Sequence, residues 1–340
     1  MQKVNWGIIG LGSVAKEFID GFKKSSNAIL TGLASKDINK INYYKKNHQL
    51  KVRYYFDDYE KIIEEKNVDI IYLALPTFLH KKWTINCLNK KKFVLVEKPS
   101  MMNFSEITEV DKHPNSNKFF FEAFMYLFHP QIKKVFELIR DEEIGELVSM
   151  ESYFGNNILT KKNFFGFIKK KKIDPKRRIF NKEMGGGCIL DLGCYPVSFA
   201  VQLASIKNAV NYKNIKYTNK IIKLGTTGVE IDSFLNIEFD NDFSCKIGAS
   251  FSQNIGKGTV IVGTRGKIII EDTWTANPSK IILRKKDKDK IFNFQLKKNI
   301  YAYEIEAISE QILDQSKINK QCIKIDQSKI FLNILDSWKN

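Results

Sequence analysis

Val4-Asn5-Trp6-Gly7-Ile8-Ile9-Gly10-Leu11-Gly12-Ser13-Val14-Ala15 is the stretch that decides the fold. Residues 4–9 form an apolar run of strand length, residues 14–24 read as a helix, and the turn between them spells GxGxxA. Gly10 permits the tight turn, Gly12 lets the backbone approach a pyrophosphate, and the small Ala15 lets helix and strand pack closely. The helix start at Ser13 and Val14 directs its free N–H groups at such a phosphate. A glycine-rich turn in a Rossmann-like domain without cofactor is the competing reading. The strand–turn–helix context favours dinucleotide binding.

Working outward, the pattern repeats. Short apolar runs at 29–34, 52–56, 69–74, 93–96 and 118–122 alternate with helical segments at 59–66, 81–89 and 105–111. Strands rich in Ile, Val and Leu that alternate with helices predict a parallel sheet covered on both faces, a doubly wound α/β domain over residues 1–122. After Glu122 the pattern changes. Helices are expected at 130–140, where Ile132, Val135, Phe136 and Ile139 keep helical spacing, and at 189–203. Strands follow at 148–154, 215–224, 234–239, 244–252, 258–263, 267–271, 280–283 and 290–296, with turn signals such as Asp240-Asn241-Asp242 and Arg265-Gly266. Residues 123–340 are therefore expected to form an α+β domain with an open, mostly antiparallel sheet. Its closing helices, 303–314 and 328–337, are candidates to pack back on the first domain.

The second strand ends Gly32-Leu33-Ala34-Ser35-Lys36-Asp37. An NAD enzyme places an acid there for the ribose diol. Here a hydroxyl and a cation come first, a pair suited to a 2′-phosphate. NADP is thus the preferred expectation over NAD, with Asp37 still in reach of a ribose.

The 340 residues suffice for two domains. The net charge is +17, and residues 161–182 hold ten basic side chains and one acid. Such charge attracts anions or nucleic acid; solvated lysine-rich loops are the plainer reading. The five cysteines, Cys87, Cys188, Cys194, Cys245 and Cys322, are scattered and odd in number. Reduced thiols and a cytoplasmic location are the simplest expectation. No apolar run approaches the ~20 residues of a membrane span, and residues 4–9 are too short for a signal sequence, so no membrane partner is expected. His48, His80, His113 and His129 show no ligand spacing, and no metal is expected.

Further motifs occur in order: Leu73-Ala74-Leu75-Pro76-Thr77-Phe78-Leu79-His80, then Val94-Leu95-Val96-Glu97-Lys98-Pro99, then Phe121-Glu122-Ala123-Phe124-Met125-Tyr126 with His129-Pro130. Last comes Gly185-Gly186-Gly187-Cys188-Ile189-Leu190-Asp191-Leu192-Gly193-Cys194-Tyr195-Pro196. Together they resemble the glucose-fructose oxidoreductase, inositol dehydrogenase and rhizopine catabolism family (Gfo/Idh/MocA) over essentially the whole chain. The tyrosine at 195, where many members carry histidine, looks closer to the dihydrodiol dehydrogenase branch. The resemblance implies a nicotinamide lodged between the domains and hydride transfer to or from a hydroxyl or carbonyl of a sugar, cyclitol or related alcohol. It also implies a homodimer or homotetramer built through the second sheet.

Alcohol oxidation by a nicotinamide needs a group that takes the hydroxyl proton. Tyr195 matches the family position, and a nearby cation such as Lys98 favours its phenolate. By resemblance Lys98 also contacts substrate and nicotinamide ribose. Asp191, four residues before Tyr195, shares its face if the segment is helical and is placed to accept a substrate hydroxyl or orient Lys98. Glu97 is a candidate to tune Lys98. Pro76, Thr77 and His80 follow the fourth strand, in a loop expected near the nicotinamide. Arg177 and Arg178 precede the glycine triplet and suit a carboxylate, phosphate or nucleotide-linked small-molecule substrate. For each of these residues an ordinary packing or surface role is the alternative. The leading function is an NAD(P)-dependent dehydrogenase or reductase acting on CH–OH groups. A nucleotide-ketosugar reductase, an enzyme that traps its cofactor, and a cofactor-sensing regulator are the competitors. The regulator would need neither Lys98 nor Tyr195, and with no zinc finger or separate helix-turn-helix region nucleic acid is not an expected partner.

Overall fold

In a computed structural model, every residue is described except 1, 48–50, 163, 165, 207–208, 276, 287 and 317; His48 thus lies outside the described residues. The chain divides into two compact units. The first holds residues 1–129 and 296–329, the second 130–295 and 330–340.

The first unit opens with β1 (Val4–Ile9), α1 (Ser13–Gly21), β2 (Ala28–Ala34), α2 (Ile38–Asn47), β3 (Tyr54–Phe56) and α3 (Tyr59–Glu64). It continues with β4 (Ile70–Leu73), α4 (His80–Asn89), β5 (Phe93–Glu97), α5 (Phe104–Asp111), α6 (Ser116–Phe119) and β6 (Phe120–Ala123). The six strands pair in parallel in the order β3-β2-β1-β4-β5-β6. This is the doubly wound order, whose topological switch lies between β1 and β4. Ile70, Ile71, Tyr72 and Leu73 of β4 are all fully buried, as central parallel strands require.

In the second unit come α7 (Pro130–Arg140), β7 (Leu147–Gly155), β8 (Thr160–Lys162), β9 (Ile168–Lys170), α8 (Cys194–Ala204), β10 (Lys216–Leu224), β11 (Glu230–Glu238) and β12 (Ser244–Ser250). Then follow β13 (Thr259–Gly263), β14 (Gly266–Ile270), β15 (Ser279–Lys285) and β16 (Lys288–Phe294). An eight-stranded open sheet runs β10-β11-β12-β7-β13-β14-β15-β16. All of its neighbours are antiparallel except β12 and β7. Hairpin reading leaves β7 without a sequential partner. In the structure it enters the sheet centre, between two strands made about a hundred residues later. Residues 182–204 are long and apolar enough to cross a bilayer, but 89% of that stretch is buried inside the fold, as a core helix is.

The last two helices are α9 (Ile300–Leu313) and α10 (Ile325–Lys339). All of α9 and the start of α10 belong to the first unit. Trp6 Nε1 donates to Ser309 Oγ on α9 at 3.0 Å. The sequence reading divides the chain at 122/123, whereas the contacts divide it at 129/130. The buried aromatics Phe124, Tyr126 and Phe128 account for the difference: the turn Met125–Phe128 packs on α9, and Gln321 donates to the Leu127 carbonyl.

Two carboxyls are buried between this C-terminal segment and the sheet, and one of them, Glu122, joins the two. Glu122 on β6 accepts from the Ser100 amide at 2.8 Å and from the Ser328 hydroxyl of α10. Its own amide donates to the Ile323 carbonyl. Burial pushes the Glu122 carboxyl up to about 7, against the pull of the Ser328 and Ser100 bonds, with Glu97 adding to the rise. Glu304 on α9 is wholly buried, and neither carboxyl oxygen has a hydrogen-bond partner among the described residues. Burial, then the neighbouring Glu97, holds its carboxyl well above the usual carboxylate range.

Between its ordinary value and about 7 the folded protein keeps the Glu122 proton that the unfolded chain has released. Stability therefore falls as pH rises through that window and levels above it. Glu122→Gln removes this component. Denaturant unfolding of variant and wild type across pH 4 to 8 should diverge in the variant's favour by up to roughly 3 kcal/mol. Parallel pH curves would refute the assignment.

Candidate active site

In the first unit the Gly10–Ala15 loop is held by sterics. Gly10 has φ +91°, and a Cβ there would lie 2.5 Å from the Ala74 carbonyl oxygen at the end of β4. Gly12 caps α1 and faces open space: an added Cβ would meet nothing within 4 Å. The first turn of α1 carries no acidic residue. Its N–H groups and dipole are therefore uncompensated, as an anion site requires. A pocket of about 380 Å³ adjoins this loop, lined by Gly12, Ser13, Lys16, Asn39, Lys40 and Tyr43 among others. Cleared backbone, a helix start and two lysines fit the phosphates of a dinucleotide.

The residues expected at the β2 end take other partners. Ser35 is buried, and its hydroxyl accepts from the Asp37 amide. Asp37 in turn accepts from the Asn39 amide at the start of α2. Lys36 Nζ stands 5.6 Å from the centroid of the Tyr59 ring. The cations at the pocket are Lys16 and Lys40, which the sequence reading passed over. Both are one or two helical turns past a recognisable motif, yet nothing separates them from the other lysines until α1 and α2 face each other.

Lys98 follows β5 and is half-buried. Its amide donates to Glu97 Oε2 at 3.1 Å, and the Tyr72 hydroxyl donates to Glu97 Oε1. The Tyr72 ring stacks on Phe18 with centroids 3.7 Å apart. Burial, then the Glu97 charge, raises the Tyr72 phenol well above its ordinary range, so it is a fixed donor. Glu97 is thus anchored from β4 and bonded to the backbone that carries Lys98. Just beyond, His80 is buried. Its Nε2 lies 2.8 Å from the Leu75 carbonyl, and its Nδ1 lies 3.2 Å from the Pro99 and Ser100 carbonyls. His80 clips the loop after β4 to the loop after Lys98, and Glu122 holds the same loop through Ser100. Thr77 is buried, while Pro76 is partly exposed and precedes a short 3₁₀ turn. His129 is buried at the end of the first unit.

In the second unit the glycine triplet has a steric reason too. Gly187 has φ +106°, and a Cβ there would lie 2.0 Å from Glu230 Oε2. The Gly186 and Gly187 amides donate to the Asn181 and Ile179 carbonyls. These bonds fold residues 177–181 back on the triplet and bring Arg178 to Asp191, with Nη2 2.6 Å from Oδ1. Arg177 stands 5.8 Å from the Phe180 ring centroid. Residues Ile189–Gly193 are π-helical, not α-helical. Asp191 sits in this wider turn and Tyr195 in the α-turn after it, so their four-residue spacing does not stack them as one α-helix would. Bulges of this kind recur at functional sites.

Tyr195 is 6% exposed. Its ring centroid lies 5.2 Å from Phe154 and 5.6 Å from Trp274. Trp274 is itself fixed by its Nε1, which donates to the Tyr153 carbonyl at 3.0 Å. Aromatic neighbours on β7 and after β14 thus hold the phenol in one orientation. Neither Phe154 nor Trp274 carries a sequence signal beyond apolarity. No group of three or more His, Cys, Asp or Glu among the described residues is arranged to hold a metal.

Residues 4–121 match an oxidoreductase family with an NAD-binding Rossmann fold, and residues 132–269 match the C-terminal domain of the same family. Trans-1,2-dihydrobenzene-1,2-diol dehydrogenase from Xenopus tropicalis is 25% identical over 289 residues, covering 83% of this chain and 79% of that one. D-xylose 1-dehydrogenase (NADP(+)) 2 from Haloferax volcanii is 23% identical, covering 81% and 78%. Among solved structures, an aldose-aldose oxidoreductase from Caulobacter crescentus superposes with a TM-score of 0.81 at 18% identity, covering 99% of this chain and 97% of its own. A 3-ketoreductase from Actinomadura kijaniata, in complex with NADP and TDP-benzene, gives 0.79 at 17% identity with the same coverage. The nucleotide cradle of the first unit and the glycine–aspartate–tyrosine turn of the second are those of a member of the GFO/IDH/MocA oxidoreductase family, to which this chain belongs.

Proposed function

We propose that the chain is an NADP-preferring dehydrogenase or reductase that interconverts a secondary alcohol and a carbonyl on a sugar, cyclitol or dihydrodiol, with Tyr195 as the general acid/base. The observation that carries this is the fixed phenol of Tyr195, wedged between Phe154 and Trp274 one turn after the Arg178–Asp191 pair. A proton-transfer group must be held in one orientation to meet a substrate hydroxyl.

When bound, the nicotinamide supplies or accepts the hydride. In the oxidising direction the Tyr195 Oη takes the hydroxyl proton; in the reducing direction it returns one to the carbonyl oxygen. The family resemblance pairs this phenol with Lys98, a cation of the kind that favours a phenolate. Asp191 is the acceptor for a substrate hydroxyl. That pairing already neutralises Arg178, which supports substrates recognised through neutral hydroxyls over anionic ones. The dihydrodiol and xylose named for two relatives are of this kind. NADP preference rests on Lys16 and Lys40, two cations beside the phosphate-binding turn where an NAD enzyme needs none.

Tyr195→Phe and Lys98→Met should each lower kcat by about 10²–10⁴-fold, and Tyr195→Phe should leave dinucleotide binding intact. The measurement is reduced-nicotinamide absorbance with a panel of sugars, cyclitols and dihydrodiols. Full activity in Tyr195→Phe would exclude the proposed role.

A second expectation concerns the nucleotide. Lys16→Glu with Lys40→Glu should raise KM for NADP by at least about tenfold, from the loss of charge-assisted bonds to phosphate, and leave KM for NAD little changed. Equal effects on both would place the lysines away from the 2′-phosphate.

A further inference from the structure

Gly193 closes the π-turn, two residues after Asp191 and two before Tyr195. Its backbone has φ −64° and ψ −24°, a right-handed helical conformation that any residue adopts. Conformation therefore does not require glycine here, and in a helix glycine is less stable than alanine. The requirement comes from Trp338, in the last turn of α10. A Cβ on Gly193 would lie 2.7 Å from Cζ3 and 3.2 Å from Cη2 of that indole, and 3.5 Å from the Ala249 Cβ on β12. The Ala249 distance is ordinary contact, whereas the first indole distance is overlap. One methyl at residue 193 thus has no room while the indole stays where it is.

The indole is not free to move aside. Trp338 is 0% exposed, and a buried ring in a close-packed interior yields little. The helix end that carries it is fastened to β10. The Tyr217 hydroxyl donates to Asn333 Oδ1 at 3.3 Å, and Lys220 Nζ donates to the Ser337 carbonyl at 3.4 Å. Trp338 Nε1 is buried with no hydrogen-bond partner among the described residues. An N–H left unpaired in a dry interior is a cost that a purely apolar ring would avoid. Hydrogen bonding therefore does not account for a tryptophan at this position. The reach of its outer ring does, and that ring ends on Gly193.

We propose that Trp338 is a positioning residue for the proton-transfer group: its indole, seated on Gly193, holds in place the backbone between Asp191 and Tyr195. The inference rests on the reading of Tyr195 as the general acid/base. Trp338 acts through this segment, and a shift of the segment misdirects the phenol.

Exchanging size between the two positions tests this. Gly193→Ala adds the methyl that Trp338 forbids, and should lower kcat by about 10²-fold, the effect of misplacing a reacting group by about 1 Å, with the KM for NADP unchanged. Trp338→Phe withdraws the outer ring and should also lower kcat. The double variant should regain at least about tenfold of the kcat lost in Gly193→Ala, because the shorter ring vacates the space that the methyl fills. Unfolding midpoints of all three variants establish that they are folded. Full activity in Gly193→Ala overturns the proposal, and so does a double variant no more active than Gly193→Ala. Recovery of the unfolding midpoint without recovery of kcat assigns Trp338 to packing alone and equally overturns it. Tyr195→Phe, assayed alongside, separates the two readings. Full activity there removes the acid/base role and this proposal with it, whereas an inactive Tyr195→Phe beside a failed repair overturns this proposal alone.

Discussion

A single carboxyl on β6 holds together what the first unit needs to present Lys98. Glu122 receives the Ser100 amide two residues beyond Lys98, the Ser328 hydroxyl at the start of α10, and, through its own amide, ties β6 to Ile323. Remove the carboxyl and two segments, the loop at Ser100 and the start of α10, lose their common partner. The cost of keeping it there is visible in its titration, since a carboxylate in a dry interior is destabilised even when hydrogen-bonded. Nearby Glu304 is likewise held well above the usual carboxylate range by burial, and Glu97 bonds the Lys98 backbone.

The second unit uses a different device. Its sheet offers one face to α8, where Phe154, Trp274, Tyr195 and Phe199 form a continuous aromatic layer. Packed rings flank the phenol. Charge enters one turn earlier, where Arg178 and Asp191 hold each other at the π-turn. Asp191 and Tyr195 thus lie on one short segment, and backbone bonds from the glycine triplet set its path.

The first sheet was legible in the sequence because parallel strands buried on both faces are nearly all apolar, as Ile70–Leu73 shows, and because Gly10 answers to a backbone that only glycine allows. The second sheet was legible as a set of strands but not in order: β7 joins β12 and β13 across a span that no local turn signal encodes. The π-turn at Ile189–Gly193 was read as plain α-helix because helix periodicity cannot resolve one extra residue in a turn. Lysines at 16 and 40 were hidden by a composition rich in lysine; only the approach of two helices distinguishes them. Glu122 and Ser328 are 206 residues apart, and Trp6 and Ser309 are 303 apart. Such pairs are set by tertiary packing, to which a single sequence gives no access.

The way the first unit is threaded has a consequence for how the chain is made. On the ribosome, all six Rossmann strands emerge by residue 123, but α9 and Ser328 appear only after residues 130–295 of the second unit have been synthesised. Until then Trp6 lacks Ser309, Glu122 lacks Ser328, and the face later covered by α9 is open to water. β7 waits in the same way for β12 and β13. Neither unit can close before the other is nearly finished, so the nascent chain holds unpaired strand edges and uncovered apolar surface for most of its synthesis, the state in which aggregation competes with folding. Completion of the first unit is thereby timed to the arrival of the second, and a chain released early exposes both.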